Sequence, residues 1–123
     1  MAGEKTQFRI DELVINGAPQ AFEDGSASIA GAARWENGVV TTSGGDDFET
    51  RKRVPCTVTF KLQFGANEQV TDFATLRDAQ VVCRDMVTGK RALMPRCGFG
   101  SMGNLGEGSV AVVLNVLSQI QWI

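Results

Sequence analysis

The sequence contains no histidine and no tyrosine. That removes the commonest general base, the commonest metal ligand and the usual activators of a nucleophile, so neither catalysis nor a bound metal or cofactor is expected. Cysteine is scarce: Cys56, Cys83 and Cys97 form an odd set without a close pair, which indicates neither a zinc site nor a disulfide framework. Two readings of these thiols stand, buried small apolar side chains or a covalent link between neighbouring subunits of an assembly. No apolar run approaches the length of a membrane span, and the opening Met-Ala-Gly-Glu-Lys-Thr-Gln lacks the apolar core of a signal peptide. Folding in a cytoplasm without membrane association is therefore expected. The formal charge of −2 exerts no general pull on nucleic acid or an anionic surface.

What is present points to a small β-rich fold. A chain of 123 residues fits one domain that buries roughly two-thirds of its unfolded surface. Abundant glycine, scarce proline and an ordinary apolar fraction favour many short strands joined by turns. Residues 55–64 alternate most cleanly: Cys56, Val58, Phe60, Leu62 and Phe64 fall on one side of a pleat, Thr57, Thr59, Lys61 and Gln63 on the other. This is the expected centre of the sheet. Residues 8–15 form a first strand disturbed at Asp11-Glu12 and closed by an Asn16-Gly17 turn, and residues 26–33 are a small-residue strand around Ile29.

Further along, Thr71 as a cap, Asp72 in the first turn and the stripe Phe73, Leu76, Ala79 predict a helix over residues 71–79, the only one in the chain. Residues 80–87 and 91–97 make two strands about a Thr88-Gly89 turn, with Pro95 confining the second to an edge or a bulge. Residues 109–117 are apolar on both faces and predict a strand buried from both sides. Residues 119–123 resume alternation, with Ile120 and Trp122 together.

Residues 34–53 hold too little apolar material for a core element, yet Asn37-Gly38 and Gly44-Gly45 suit an extended hairpin or arm. A segment of this length in a small domain usually binds a partner. Its candidate contact residues are Arg34, Trp35, Glu36, Asn37, Asp46, Asp47, Phe48 and Glu49. Trp35 is either the anchor of a contact or packed back on its own domain. Arg51-Lys52-Arg53 is either a solvated strand end or a docking point for an acidic neighbour. The acids of the arm supply too few oxygens at regular spacing for a Ca²⁺ cage. The Gly98-Phe99-Gly100-Ser101-Met102-Gly103 run lacks the βαβ context a phosphate loop needs.

The order of these features resembles the tail tube proteins of tailed bacteriophages, particularly the small tube proteins of Mu-like contractile tails. The residues that carry it are the early strand ending in Asn16-Gly17, the small-residue strand before Arg34 and the polar arm reaching Phe48-Glu49. Val54-Pro55-Cys56-Thr57-Val58, the helix from Thr71 to Asp78, the Thr88-Gly89-Lys90 turn and Gly106-Glu107-Gly108 before the last apolar strand complete it.

The resemblance implies a mainly β fold with one helix, a small antiparallel β-sandwich or half-barrel. It also implies a shared β-barrel in hexameric rings that stack into a hollow conduit for genome delivery. Implied partners are further copies of the chain, a tail sheath, a tape measure protein and baseplate or terminator proteins, with double-stranded DNA passing transiently and without sequence preference. The implied location is the virion tail, assembled in the bacterial host cytoplasm. Thr57, Thr59, Lys61 and Gln63 become candidates for the channel wall, with Asp46, Asp47, Glu49, Asp85 and Glu107 as sources of acidity. The alternative, from a different class, is a monomeric β-sandwich that binds a carbohydrate or peptide through Trp35 and the Asp46-Asp47 loop.

Overall fold

A computed structural model describes residues 6–65 and 69–123. Part of the opening heptapeptide lies outside the described residues. Along the chain come β1 (Glu12–Ile15), β2 (Ala18–Pro19), β3 (Ser28–Ala30), β4 (Trp35–Val40), β5 (Phe48–Arg53), β6 (Cys56–Gln63), α1 (Thr71–Ala74), β7 (Ala79–Arg84), β8 (Arg91–Met102), β9 (Ser109–Val116) and β10 (Gln121–Trp122). All but β4 and β5 join one antiparallel sheet in the order β2-β1-β7-β8-β9-β6-β3, with β10 beside β8.

Alternation dictates the core. Cys56, Val58, Phe60 and Leu62 of β6 interleave with Val110, Val112, Leu114 and Val116 of β9, and all are buried. Leu13, Val81, Cys83, Ala92, Met94 and Cys97 extend the same layer through β1, β7 and β8. The Asn16-Gly17 turn forms as expected: both residues have positive φ, at 51° and 84°, the geometry a two-residue hairpin needs between Ile15 and Ala18.

Several expectations change. β6 is not the centre of the sheet: it lies next to last in the order, between β9 and the short end strand β3, and β8 is in the middle. The helix is a single turn, Thr71–Ala74, rather than residues 71–79, and Val70 rather than Thr71 is its cap residue, with no side-chain bond. Thr75 turns its hydroxyl back to the Thr71 carbonyl, the Leu76 N–H bonds Phe73 with a tighter spacing, and Asp78 adopts φ 50°, so the chain leaves the helix and enters β7. β8 runs on to Met102 through what looked like a glycine-rich loop. Pro95 sits where the β7–β8 register shifts, so the bulge it demanded lies inside a central strand. Just beyond it β8 exchanges β10 for β9 as its second neighbour.

The last apolar strand, β9, is buried on one face only. Ala111 and Asn115 are exposed and Val113 is half-buried. Both of its edges are occupied, by β6 and β8, so its second face is sheet surface.

Candidate assembly interface

β4 and β5 pair only with each other, from Trp35 opposite Arg53 to Val40 opposite Phe48. Among the described residues the backbone of neither strand comes close to any other element, and every residue of both is exposed. An isolated two-stranded ribbon is marginal in water. This one is held by side chains facing each other across the ladder. Directly opposed residues share a face, so one face carries Trp35, Asn37, Val39, Glu49, Arg51 and Arg53, and the other Glu36, Gly38, Val40, Phe48, Thr50 and Lys52.

On the first face the guanidinium of Arg51 lies 4.9 Å and that of Arg53 5.6 Å from the centre of the Trp35 ring, an attraction of cation for π-face. Trp35 is thus stacked within its own hairpin, and at the root it also borders a cleft shared with Gln119, Ile120 and Trp122 beside the main sheet. On the second face Val40 and Phe48 make an apolar pair near the tip, 49% and 66% exposed. The tip closes on itself: the Thr42 hydroxyl donates to the Asp46 carbonyl, and its N–H donates to the Asp47 carboxylate at 3.4 Å. Gly45, with φ 98°, turns the chain there.

The root is fixed more firmly. Gly31 has φ 70°, and a Cβ on it would meet the Pro55 carbonyl oxygen at 2.2 Å, so only glycine fits between β3 and the start of β6. The Arg34 N–H donates to Gly31 and its carbonyl accepts from Val54, at 3.0 and 2.9 Å. The Arg34 side chain, expected in the contact arm, turns inward and donates to the Ser118 carbonyl. Arg34 anchors the hairpin, and the exposed contact surface begins at Trp35.

The longest strand edges left without a partner, among the described residues, belong to β4 and β5. The ends of the main sheet are blunt, with β2 and β3 only two and three residues long, the usual guard against unwanted pairing.

The face of β6 that carries Thr57, Thr59, Lys61 and Gln63 continues across β9 as Asn115, Val113, Ala111 and Ser109. Ser28 and Ala30 of β3 lie opposite Thr59 and Thr57. Thr57 and Thr59 are half-buried, Lys61 and Gln63 exposed. Side chains here are short and mostly uncharged. Lys61 is neutralised within its own chain, its Nζ 3.4 Å from a Glu23 carboxylate oxygen.

Asp85 supplies no surface acidity, because it is buried below the turn after β7. The Val87 N–H donates to its carboxylate at 2.9 Å and holds its pKa below the ordinary carboxylate value, against the opposing pull of burial; the Arg9 and Thr88 N–H groups add to the lowering.

All three thiols are free and lie in the core. Burial pushes Cys83 up to about 12 and Cys97 up to about 11, and raises Cys56 against the opposing charge of Arg34. A bond from any of them to another subunit would first require the sheet to open. The folded thiols hold their protons above the unfolded value of 9.0, so their contribution to stability is complete below pH 9 and is lost as pH rises toward 11 and 12. Denaturant titrations should show stability falling above that point by roughly 1 kcal/mol per pH unit for each of Cys83 and Cys97. A flat profile from pH 8 to pH 11 would contradict the burial of these groups.

An open groove of about 450 Å³ lies between Phe8, Ile10, Ile29 and Trp122. Its charged lining residue, Arg9, is already paired with Asp24 and Asp11. Among the described residues no group of His, Cys, Asp and Glu is arranged to hold a metal ion, and no helix is long and apolar enough to cross a membrane.

No family model and no curated protein matches the chain. Solved structures do, across its whole length. A chain of the sheath–tube complex of an extracellular contractile injection system, PVC, in its extended state superposes with a TM-score of 0.63 at 10% identity, covering 99% of this chain and 94% of the other. A chain of the sheath/tube terminator of the same system gives 0.61 at 7% identity, covering 98% and 99%. The tube-terminating cap of the anti-feeding prophage gives 0.59 at 9% identity, covering 100% and 99%. The fold is shared end to end with chains of contractile machines.

Proposed function

We propose that this chain is a structural subunit of the inner tube of a contractile-tail machine, in which hexameric rings stack into a hollow conduit. The observation that carries the proposal is the β4–β5 hairpin. Its backbone pairs with no other element of its own chain among the described residues, it presents Phe48 and Val40 to solvent, and it belongs to a fold shared over its full length with chains of sheath–tube and terminator assemblies. An apolar pair on a marginal ribbon gains most by being covered by another subunit.

In this proposal a closed ring forms by heterologous contacts, and the hairpin, through Trp35, Glu36, Asn37, Asp46, Asp47, Phe48 and Glu49, reaches the next copy in the stack. The face bearing Thr57, Thr59, Lys61 and Gln63 lines the channel. Its short side chains and the internal Lys61–Glu23 pair give a polar wall with no net positive charge to trap a polyanion. The partners are further copies of the chain, a sheath, a tape measure protein and baseplate or terminator proteins, and double-stranded DNA is the cargo in transit. The subunit has no catalytic role, and its place is the tail of a virion assembled in the host cytoplasm.

Negative-stain electron microscopy of the purified protein over a range of concentration and salt tests this. Rings or tubes are expected. A monodisperse monomer at high concentration in every salt would contradict it.

A further inference from the structure

The charge on the hairpin is sorted along its length. Residues 41–50, the tip and the strand ends beside it, hold Asp46, Asp47 and Glu49 and no lysine or arginine; Arg51, Lys52 and Arg53 follow at the root, where Glu36 is the lone acid of β4. Among the described residues none of Asp46, Glu49, Arg51, Lys52 and Arg53 has an ion-pair partner, and all are exposed. Asp47 and Arg53 are separated along β5 by roughly 20 Å at the rise of a strand. That exceeds the screening length of about 10 Å at 0.1 M salt, so the extreme ends barely feel each other. Of the tip acids and root bases only Glu49 and Arg51, roughly 7 Å apart on one face, partly offset each other within one copy. Trp35 reinforces the sorting by drawing Arg51 and Arg53 back to the root.

We infer that the hairpin is a polar connector whose acidic tip docks on the basic root of a second copy. The occupant follows from charge complementarity: the chain itself carries the cationic surface its tip lacks, at the far end of the same element. Such a contact is heterologous, since each copy offers its tip to one neighbour and its root to another, and it propagates instead of closing a dimer. Like ends repel, so two copies cannot join tip to tip or root to root. The charges thereby set the direction of stacking, while the Val40–Phe48 pair beside the tip supplies the apolar area that the contact covers. This inference rests on the tube reading above and adds to it the polarity of the joint.

Two variants test it. Asp46→Lys with Glu49→Lys makes a hairpin positive at both ends, and Lys52→Glu with Arg53→Glu makes one negative at both ends. All four positions are exposed, and Asp47 and Arg51 keep the tip bond and the nearer contact with Trp35. Each variant alone should need at least about tenfold more protein than wild type to form tubes, because like charges meet at every joint. An equimolar mixture should assemble at the wild-type concentration, since every tip then finds a root of opposite sign. The neutral versions, Asp46→Asn with Glu49→Gln and Lys52→Gln with Arg53→Gln, should assemble with a flatter dependence on sodium chloride than wild type. The inference is overturned if either reversed variant polymerises as wild type does, if the mixture stays unassembled while both variants melt like wild type, or if the neutral versions keep the wild-type salt dependence. Failure of the wild-type protein itself to polymerise would instead remove the tube reading, and this contact with it.

Discussion

Replacing residues 36–52 by a two-residue Asn-Gly turn between Trp35 and Arg53 should abolish tube formation and leave the domain folded. The substitution keeps Gly31, Arg34 and the Arg34–Ser118 bond, which close the main sheet at the hairpin's root. It removes only residues whose backbone comes close to no other element among those described. If the hairpin is the proposed joint, stability and assembly reside in different parts of the chain. The melting temperature should move by no more than a few degrees, because exposed positions away from core packing contribute little to stability. Electron microscopy and a thermal melt on the same sample check both halves. Normal tubes would refute the hairpin's assigned role, and an unfolded protein would show that the ribbon supports the sheet through contacts that its packing does not reveal.

Phe60→Ala should have the opposite signature. Phe60 is fully buried, lies opposite Val112 on β9 and is the largest of the fully buried side chains. Truncating it removes its burial free energy and leaves a cavity in the core layer beneath β6 and β9. The expected loss is about 3–5 kcal/mol, a large part of the roughly 5–15 kcal/mol by which domains of this kind are stable. The melting temperature should fall by about 10–20 °C. Any protein that remains folded should still join tubes, since the hairpin is untouched. Calorimetry of the variant decides the first point, and a loss below about 1 kcal/mol would mean that the core collapses around the gap.

How much of this was legible in the sequence depended on whether a residue's environment is local. The buried and open faces of β6 were readable because alternation encodes them directly, and Cys56, Val58, Phe60 and Leu62 are buried as expected. The Asn16-Gly17 and Thr88-Gly89 turns were readable because positive φ restricts residue choice at Asn16, Gly17 and Gly89. The hairpin of residues 34–53 was readable from what it lacks, since a stretch with so few apolar residues has no place in a core.

The helix length was not, because it ends through the local bonds of Thr75 and Leu76, while the Phe73 and Leu76 pattern suits a longer helix equally well. The apolar outer face of β9 misled for a similar reason. Ala111 and Val113 read as buried, and in the single chain they form open or half-open sheet surface beside Thr59 and Lys61.

Of the candidate site residues, Arg34 illustrates the limit most clearly. Its position in a polar arm suggested a contact, but its inward turn depends on Ser118, 84 residues away, and no short-range pattern encodes that. Asp85 is similar: nothing in its sequence neighbourhood shows that Arg9 from the far end of the chain joins the turn that buries it. The tip-to-root charge order of the hairpin was visible in the sequence as separate clusters. It gained meaning only when the register placed the acids at one end of a free ribbon and the bases at the other.

A cryo-electron-microscopy reconstruction of the assembled wild-type protein is the most direct test of the claim that β4 and β5 are an intermolecular element. Stacked rings are expected in which Val40 and Phe48 are covered by a neighbouring copy, and in which the Asp46 and Glu49 carboxylates approach Lys52 and Arg53 of that copy. Rings or tubes whose hairpins project free into solvent, or a protein that remains monomeric under every condition, would contradict it.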